Sequence, residues 1–532
     1  MNETQMLFSQ TNYFSKLITD YISGVDSVVP FYEYALSPDK IEQIIEAKQA
    51  ENIDRDVLSD TIAKQYKTID FLSKHVEKNI ETIKETNTFC IVTAHQLNIF
   101  GGPLYLIYKI AQTISTCNQL AQKYPSYNFV PVYWLGSEDH DFDEINHIQL
   151  FNKNIYWNDK QGGATGQYST QSIVTAIAEL KQILGNGEHA LQLLNIFETA
   201  YQQQNLADAT RYLMHKLFGA YGLLIIDGND KIFKQQFIPE MQDDLLHQTP
   251  YKLVLEQNNK LETAGYKQQA FPRAINLFYL SKNIRERIEW NTTDNLYQVL
   301  NTTITFTKDE IIHELNTYPE RFSPNVILRP LYQQKILPAL AYIGGAGELS
   351  YWLQLKSLFT HYKIAYPQLL LRNSALLVNA SIYKKIEKLK LNITDFFLQV
   401  DLLKMNFISN NSNEDIDVSK YKEEIETTFE KLKILTADID GSLINTIGAE
   451  LQKSLQSIDT IHKKLVKSLK QKNETELNQI EKIKTQLFPQ NTLQERVENF
   501  SGYYSIYGIS FIDDLINSFD VYVKQFLLIQ LS

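Results

Sequence analysis

Between Ile41 and Thr82 the apolar residues return at helical intervals among many charges: Ile41, Ile44 and Ile45, then Ile69, Phe71, Leu72 and Val76. That spacing lays an apolar stripe along short helices and predicts an amphipathic helical lead-in over residues 1–88. The texture changes at Phe89-Cys90-Ile91-Val92, a short β-rich run followed by polar and glycine residues, then by a helical pattern through Tyr105, Ile107, Tyr108, Ile110 and Ile114. The order of strand and then polar loop returns at Val130 to Leu135, at Leu223 to Ile226 before Asp227-Gly228, and at Ala339 to Ile343 before Gly344-Gly345-Ala346-Gly347-Glu348. Ile364 to Leu371 reads as one more strand. Strands alternating with helical stretches predict an α/β core with a mostly parallel sheet over residues 89–377. Residues 155–210 and 253–320 read as insertions decorating it.

After about Val378 glycine nearly vanishes and lysine, glutamate and leucine take over. Leu451, Leu455, Ile458, Leu465 and Leu469 follow a three-four spacing with His462 in the vacant position, the seam of a coiled coil. Leu469 and Ile480 stand seven plus four residues apart, which reads as a stutter, and Pro489 closes the run. Ile425, Phe429 and Leu432 begin an earlier arm, so an antiparallel hairpin bending near Gly441 is expected ahead of one long helix. The helical domain is placed at residues 378–490, and residues 491–532 are expected to pack back on the core.

Composition narrows the classes. Hydrophobic residues make up 44% and charged residues 21%, which places the chain among folded globular proteins. Its formal charge of −11 argues against a general nucleic-acid binder, because such affinity comes from cationic neutralisation of phosphates. Neither a signal-peptide apolar region nor a run long enough to span a bilayer is present, so a cytoplasmic protein without membrane partners is expected. The two cysteines, Cys90 and Cys117, have no metal-ligand spacing, and Cys90 reads as a small buried thiol.

Polar residues cluster where the strand-like runs end, and ligands of open parallel sheets sit at those ends. The first cluster is His95, Gln96 and Asn98 with Gly101-Gly102-Pro103-Leu104-Tyr105, where side chains and backbone N–H groups can hold an anion. The spacing of His95 and Asn98 is similar to the signature of class I aminoacyl-tRNA synthetases and related adenylating enzymes. A structural hydrogen bond is the plainer reading of His95. The second cluster, Glu138-Asp139-His140-Asp141-Phe142-Asp143-Glu144, can position an amine or take a proton; a solvated acidic loop with Asp139 or Asp141 as helix cap is the plainer alternative. It offers no tetrahedral ligand set, and no metal is expected. The third is Asn325 and Arg329, followed by Gly344, Gly345 and Gly347. Arginine presents a fork matched to carboxylate or phosphate, and glycines admit a ligand close to backbone N–H groups. A Walker loop is excluded for want of a Gly-Lys-Ser/Thr ending, and a structural turn is the competing reading. The three clusters are expected to converge, with Gln96, Asp139 and Gly345 around one pocket.

These blocks, in this order, resemble the bacterial enzymes that add cysteine in bacillithiol biosynthesis. The resemblance rests on Val92-Thr93 with Gln96 and Gly102-Pro103-Leu104-Tyr105, on Pro131-Val132 with Trp134 and Ser137 to Asp141, and on Ser323-Pro324-Asn325 with Leu328-Arg329-Pro330. It continues through Ala341 to Gly345, Tyr351-Trp352 and Leu493-Gln494-Glu495-Arg496. The resemblance implies a Rossmann-like core, a coiled-coil domain that supports a homodimer, and attachment of L-cysteine to glucosaminyl malate as the last step of the pathway. This chain carries Ala94-His95 where many members carry Gly-Gln, which shifts the expected catalytic role to Gln96, with Asp139, His140 and Asp141. His95, Asn98, Gly102, Tyr105, Asn325, Arg329 and the glycine loop are then expected to bind substrate or nucleotide. Amide formation needs a driving force, and ATP or another activating donor is the expectation. Two other functions stay open at this point: a nucleotide-sugar or nucleotidyl transferase, and a coiled-coil scaffold with a degenerate core.

Overall fold

The computed structural model describes residues 2–411, 417–437 and 439–531. Five strands form the central sheet: β1 (Thr88–His95), β2 (Asn128–Leu135), β3 (Leu224–Asp227), β4 (Ala339–Gly344) and β5 (Gln368–Leu371). All are parallel, in the order β5-β4-β1-β2-β3. Every residue of β1 except His95 is buried, as expected of a strand covered on both faces. The chain steps outward from β1 to β2 and β3, then returns to the other side of β1 to lay down β4 and β5. The loops after β1 and β4 therefore leave in opposite directions, and a crevice opens between them at the carboxyl edge of the sheet.

Helix Leu104–Lys123 follows β1 and is buried along most of its length. With helix Ile41–Gln49 it covers one face of the sheet, packing Ile41, Ile44 and Leu120 against Phe89, Ile91 and Leu340. Both cysteines are buried and unpaired. Burial pushes the Cys90 thiol up to about 12 and the Cys117 thiol well above its ordinary value.

The lead-in belongs to the same compact unit as the core, which comprises residues 3–376 and 492–527. Its helices are Ile41–Gln49, Arg55–Gln65 and Lys74–Thr82. The helical spacing expected at Ile69, Phe71 and Leu72 is not realised: Ser73 is extended at the start of the third helix, and Phe71 is left 70% exposed. The insertion at 155–210 is largely helical. The one at 253–320 builds most of an antiparallel sheet in the order Thr305–Phe306, Leu296–Val299, Ile284–Asn291, Leu277–Ser281, Phe322–Pro324.

The second unit takes residues 377–491 together with 528–532, so the last residues group with the helical part rather than with the core as expected. Helices Ser419–Ala437 and Ile444–Lys472 pack as a hairpin about a turn at Gly441–Leu443, and Lys422 reaches Asp459 at 2.6 Å between the arms. Leu451 is buried in the seam, whereas Leu465 is 44% exposed. A straight helix drifts relative to a seven-residue repeat, and that drift carries Leu465 off the contact line. The expected stutter is a break: Asn473 leaves helical geometry at φ −109°, ψ 22°, and a new helix runs from Glu474 to Leu487.

Candidate active site

The crevice between β1 and β4 is closed at its floor by hydrogen bonds that begin inside the sheet. Thr93 Oγ1 donates to the Ile343 carbonyl at 2.8 Å, tying the two strands together just before their loops diverge. Lys109, 1% exposed in the helix after β1, donates to the Ala94 carbonyl at 2.6 Å and meets Glu348 Oε2 at 2.5 Å. Glu348 also accepts from Tyr342 Oη at 2.6 Å and from the Gly345 backbone N–H at 2.8 Å. Burial alone would raise its carboxyl, but Lys109 and these donors hold it down at about 2. Glu348 is thus an ionised counter-charge that caps its own helix.

Above this floor lies a cavity of about 470 Å³, large enough for a small metabolite. His95, Gln96 and Tyr105 line it from the β1 side, Glu138 and Asp139 from the loop after β2. Asn325, Arg329, Gly345 and Gly347 complete the opposite wall. Gln96 Nε2 donates to Asp139 Oδ2 and to Glu144 Oε2, each at 2.7 Å, so one amide joins two acids of the second cluster. His95 Nε2 pairs with Tyr105 Oη at 3.1 Å; burial and the nearby Lys109 charge push its pKa down to about 3, which keeps the ring neutral at pH 7. Burial would raise Asp139, but His140, the Arg285 charge and Gln96 outweigh it and hold the carboxyl well below the usual range.

Arg329 opens helix Arg329–Ile336 and donates to Tyr351 Oη at 2.9 Å and Gln333 Oε1 at 3.0 Å, over the ring of Tyr342. Among the described residues it has no carboxylate partner within ion-pair distance. Neighbouring Asn325 is held from behind: its backbone N–H donates to the Asn276 carbonyl at 3.0 Å, and the Asn276 N–H donates to buried Asp244 at 2.6 Å.

The clusters converge as expected, and not every candidate faces the cavity. Asn98 donates to the Glu144 carbonyl at 3.3 Å and packs on Gly102, whose φ of +62° and close approach, a Cβ there falling 2.7 Å from Asn98 Cβ, leave room only for glycine. These two shape the loop. Gly344 ends β4 against Leu349 and Tyr342 rather than against the cavity. His140 and Asp141 face an adjoining cavity of about 520 Å³, and Asp141 accepts from the Glu144 backbone N–H at 3.4 Å as a helix cap.

Three cavity arginines are not among the expected site residues, and only Arg496 enters the resemblance, as part of a family block. Arg285 comes from the antiparallel insertion, 9% exposed, stacked 3.9 Å from the Phe278 ring centroid and donating to His140 Nδ1 at 2.8 Å. Arg372 directly follows β5, and Arg496 lies in the C-terminal return segment. The signal for Arg372 was available, since a charged residue after Leu369-Leu370-Leu371 marks a strand end like the others.

Comparison with known sequences matches the whole of this architecture. The profile for the bacillithiol biosynthesis BshC N-terminal Rossmann-like domain matches residues 1–373, and that for the BshC C-terminal coiled-coil domain matches residues 375–531. The chain belongs to the BshC family of bacillithiol biosynthesis. Relatives named "putative cysteine ligase BshC" include that of Flavobacterium psychrophilum, 42% identical over 96% of this chain and 95% of its own length. That of Christiangramia forsetii is 41% identical over 98% and 97%, and that of Chlorobaculum tepidum 30% over 87% and 86%. By this membership the chain is an enzyme of the ligase type. Its Rossmann-like parallel sheet and coiled-coil hairpin are the family's two domains. Among the described residues no helix is long and apolar enough to cross a membrane.

Proposed function

We propose that the chain joins the carboxylate of L-cysteine to the amine of glucosaminyl malate, the last step of bacillithiol synthesis. The observation that carries this reading is Arg329, a guanidinium with no acid partner among the described residues, facing a cavity at the switch point of the sheet in a protein of formal charge −11. A guanidinium so placed seeks an anion from solution, and a malyl carboxylate meets it with two parallel charge-assisted hydrogen bonds. Across the cavity, Gln96 and ionised Asp139 are the groups we assign to orienting the amine.

Condensing a carboxylate with an amine releases water and needs coupling. We expect ATP to supply it: the cysteine carboxylate attacks the nucleotide and displaces either pyrophosphate, leaving an acyl adenylate, or ADP, leaving an acyl phosphate, and the amine then displaces AMP or phosphate respectively and loses a proton. Asp139 and Glu348 are held too far below neutrality to serve as efficient bases at pH 7, so their part is to hold charge. In the same reading the protein is a cytoplasmic homodimer paired through its helical hairpin.

The test is chemical. A deletion strain should lose bacillithiol and accumulate glucosaminyl malate, and purified protein should form the amide from cysteine, glucosaminyl malate and ATP. Normal bacillithiol in the deletion strain would remove the proposed substrates.

A further inference from the structure

Among the described residues three carboxylates line the cavity, those of Glu138, Asp139 and Glu348, and they differ in how many of their oxygens are already taken. Both oxygens of Glu348 accept, Oε1 from Tyr342 and Oε2 from Lys109 and the Gly345 N–H. Both oxygens of Asp139 accept as well, Oδ2 from Gln96 and Oδ1 from the His140 backbone N–H at 2.7 Å. Glu138 is held by one oxygen only. Its Oε1 accepts from Lys234 Nζ, and no described residue donates a hydrogen bond to Oε2. The side chain lines the cavity and is 14% exposed, which leaves this second oxygen to a ligand. Lys234 holds the acid from behind. It stands in helix Lys231–Gln235 after β3, its side chain fully buried, and it also donates to the Phe322 carbonyl at 2.6 Å, with the Tyr332 ring centroid 5.6 Å away. An ammonium taken out of water needs its counter-charge close, so the pair fixes where the Glu138 carboxylate sits.

We propose that Glu138 is the proton acceptor of amide formation and that Lys234 is its positioning residue. The free amine of the glycoside attacks the carbonyl carbon of the activated cysteine, and its nitrogen becomes cationic as the new C–N bond forms. A proton then passes from that nitrogen to Glu138 Oε2, while the electron pair of the breaking C–O bond leaves with AMP or phosphate. Glu138 afterwards returns the proton to solvent. Asp139 and Glu348 have no oxygen without a donor for this step, and their part is to hold charge and geometry. The role rests on the reading of the cavity as the amide-forming site, and it names the acid that takes the proton.

The experiment separates activation of cysteine from acylation of the amine. Hydroxylamine traps activated cysteine as its hydroxamate without the glycoside, and as a weakly basic nucleophile it needs no protein group to take its proton. Glu138→Gln should form hydroxamate from cysteine, ATP and hydroxylamine at the wild-type rate. With glucosaminyl malate it should form amide about a hundredfold more slowly or worse, the range for a lost general base, in kcat rather than in KM for the glycoside. Glu138→Gln also leaves Lys234 buried without its counter-charge, so the combination of Glu138→Gln with Lys234→Met is measured beside it. That double variant should melt near wild type and still be slow in amide formation only. An ion pair kept for the fold alone makes the opposite forecast, because the neutral double variant would then form amide as fast as wild type. That result overturns the base, and so does a folded variant in which hydroxamate and amide fall together. If the wild-type enzyme itself forms no amide, the ligase reading falls and takes the base with it; wild-type turnover matched by the double variant removes the base and leaves the ligase reading standing.

Discussion

Lys109 and Arg329 stand on either side of Glu348, and the protein holds them in opposite ways. Lys109 is paired, donating to Glu348 and to the Ala94 carbonyl, and its job is to tie the helix after β1 to the loop after β4. Arg329 is oriented by two neutral partners and has no acid at ion-pair distance among the described residues, Glu348 acting on it only from farther off. Arg329→Lys keeps the charge and loses the fork. It should weaken binding of the malate glycoside or its turnover by roughly 1.5 to 3 kcal/mol while melting stays near wild type. Kinetics and melting temperature on the same preparation check this, and a lowered melting point with normal kinetics would give Arg329 to the fold instead. Arg329 was legible because a glycine loop follows it in the chain. Lys109 was not, although a single lysine inside the apolar run Leu104 to Ile114 is an exception that asks for a partner; the partner, Glu348, lies far along the chain, and no local pattern links them.

At the scale of elements, a short apolar run broken by polar residues located every strand of the central sheet and the loops after all of them but β5. The rule works because a parallel strand is buried on both faces, so its polar neighbours must begin where the sheet ends. It fails for Arg285, whose strand Ile284–Asn291 is mostly half-buried and opens on the charged run Arg285-Glu286-Arg287 like a surface strand. Nothing local says that such an insertion folds back over the site. The helical hairpin was legible as a seam and a bend, but its exposed flank was not. Ile461 and Leu465 are 53% and 44% exposed on helix Ile444–Lys472, and Ile434 and Leu435 are 68% and 59% exposed on the other arm. Apolar side chains repeated along one hairpin are the surface we expect a second copy to cover. Placing charges at Ile461 and Leu465 should leave the core folded and shift the protein to monomer in sedimentation; a variant that stays dimeric removes the hairpin as the interface.

At the scale of the whole molecule, an acidic chain gathers four arginines at one cavity, where the carboxyl ends of the sheet open and a substrate anion finds cationic partners. The fate of the thiols belongs to this scale as well. Cys90 and Cys117 both lie in the core, and burial keeps each protonated far above physiological pH. Exchange with a disulfide requires a thiolate that an incoming sulfur can reach. A thiol-specific chromogenic reagent should therefore find no reactive group on the native enzyme and two after denaturation. A family that serves the synthesis of a protective thiol must work when oxidants have already converted such thiols to disulfides. Here the catalyst exposes neither of its two thiols for those disulfides to cap, so its output need not fall when such disulfides accumulate.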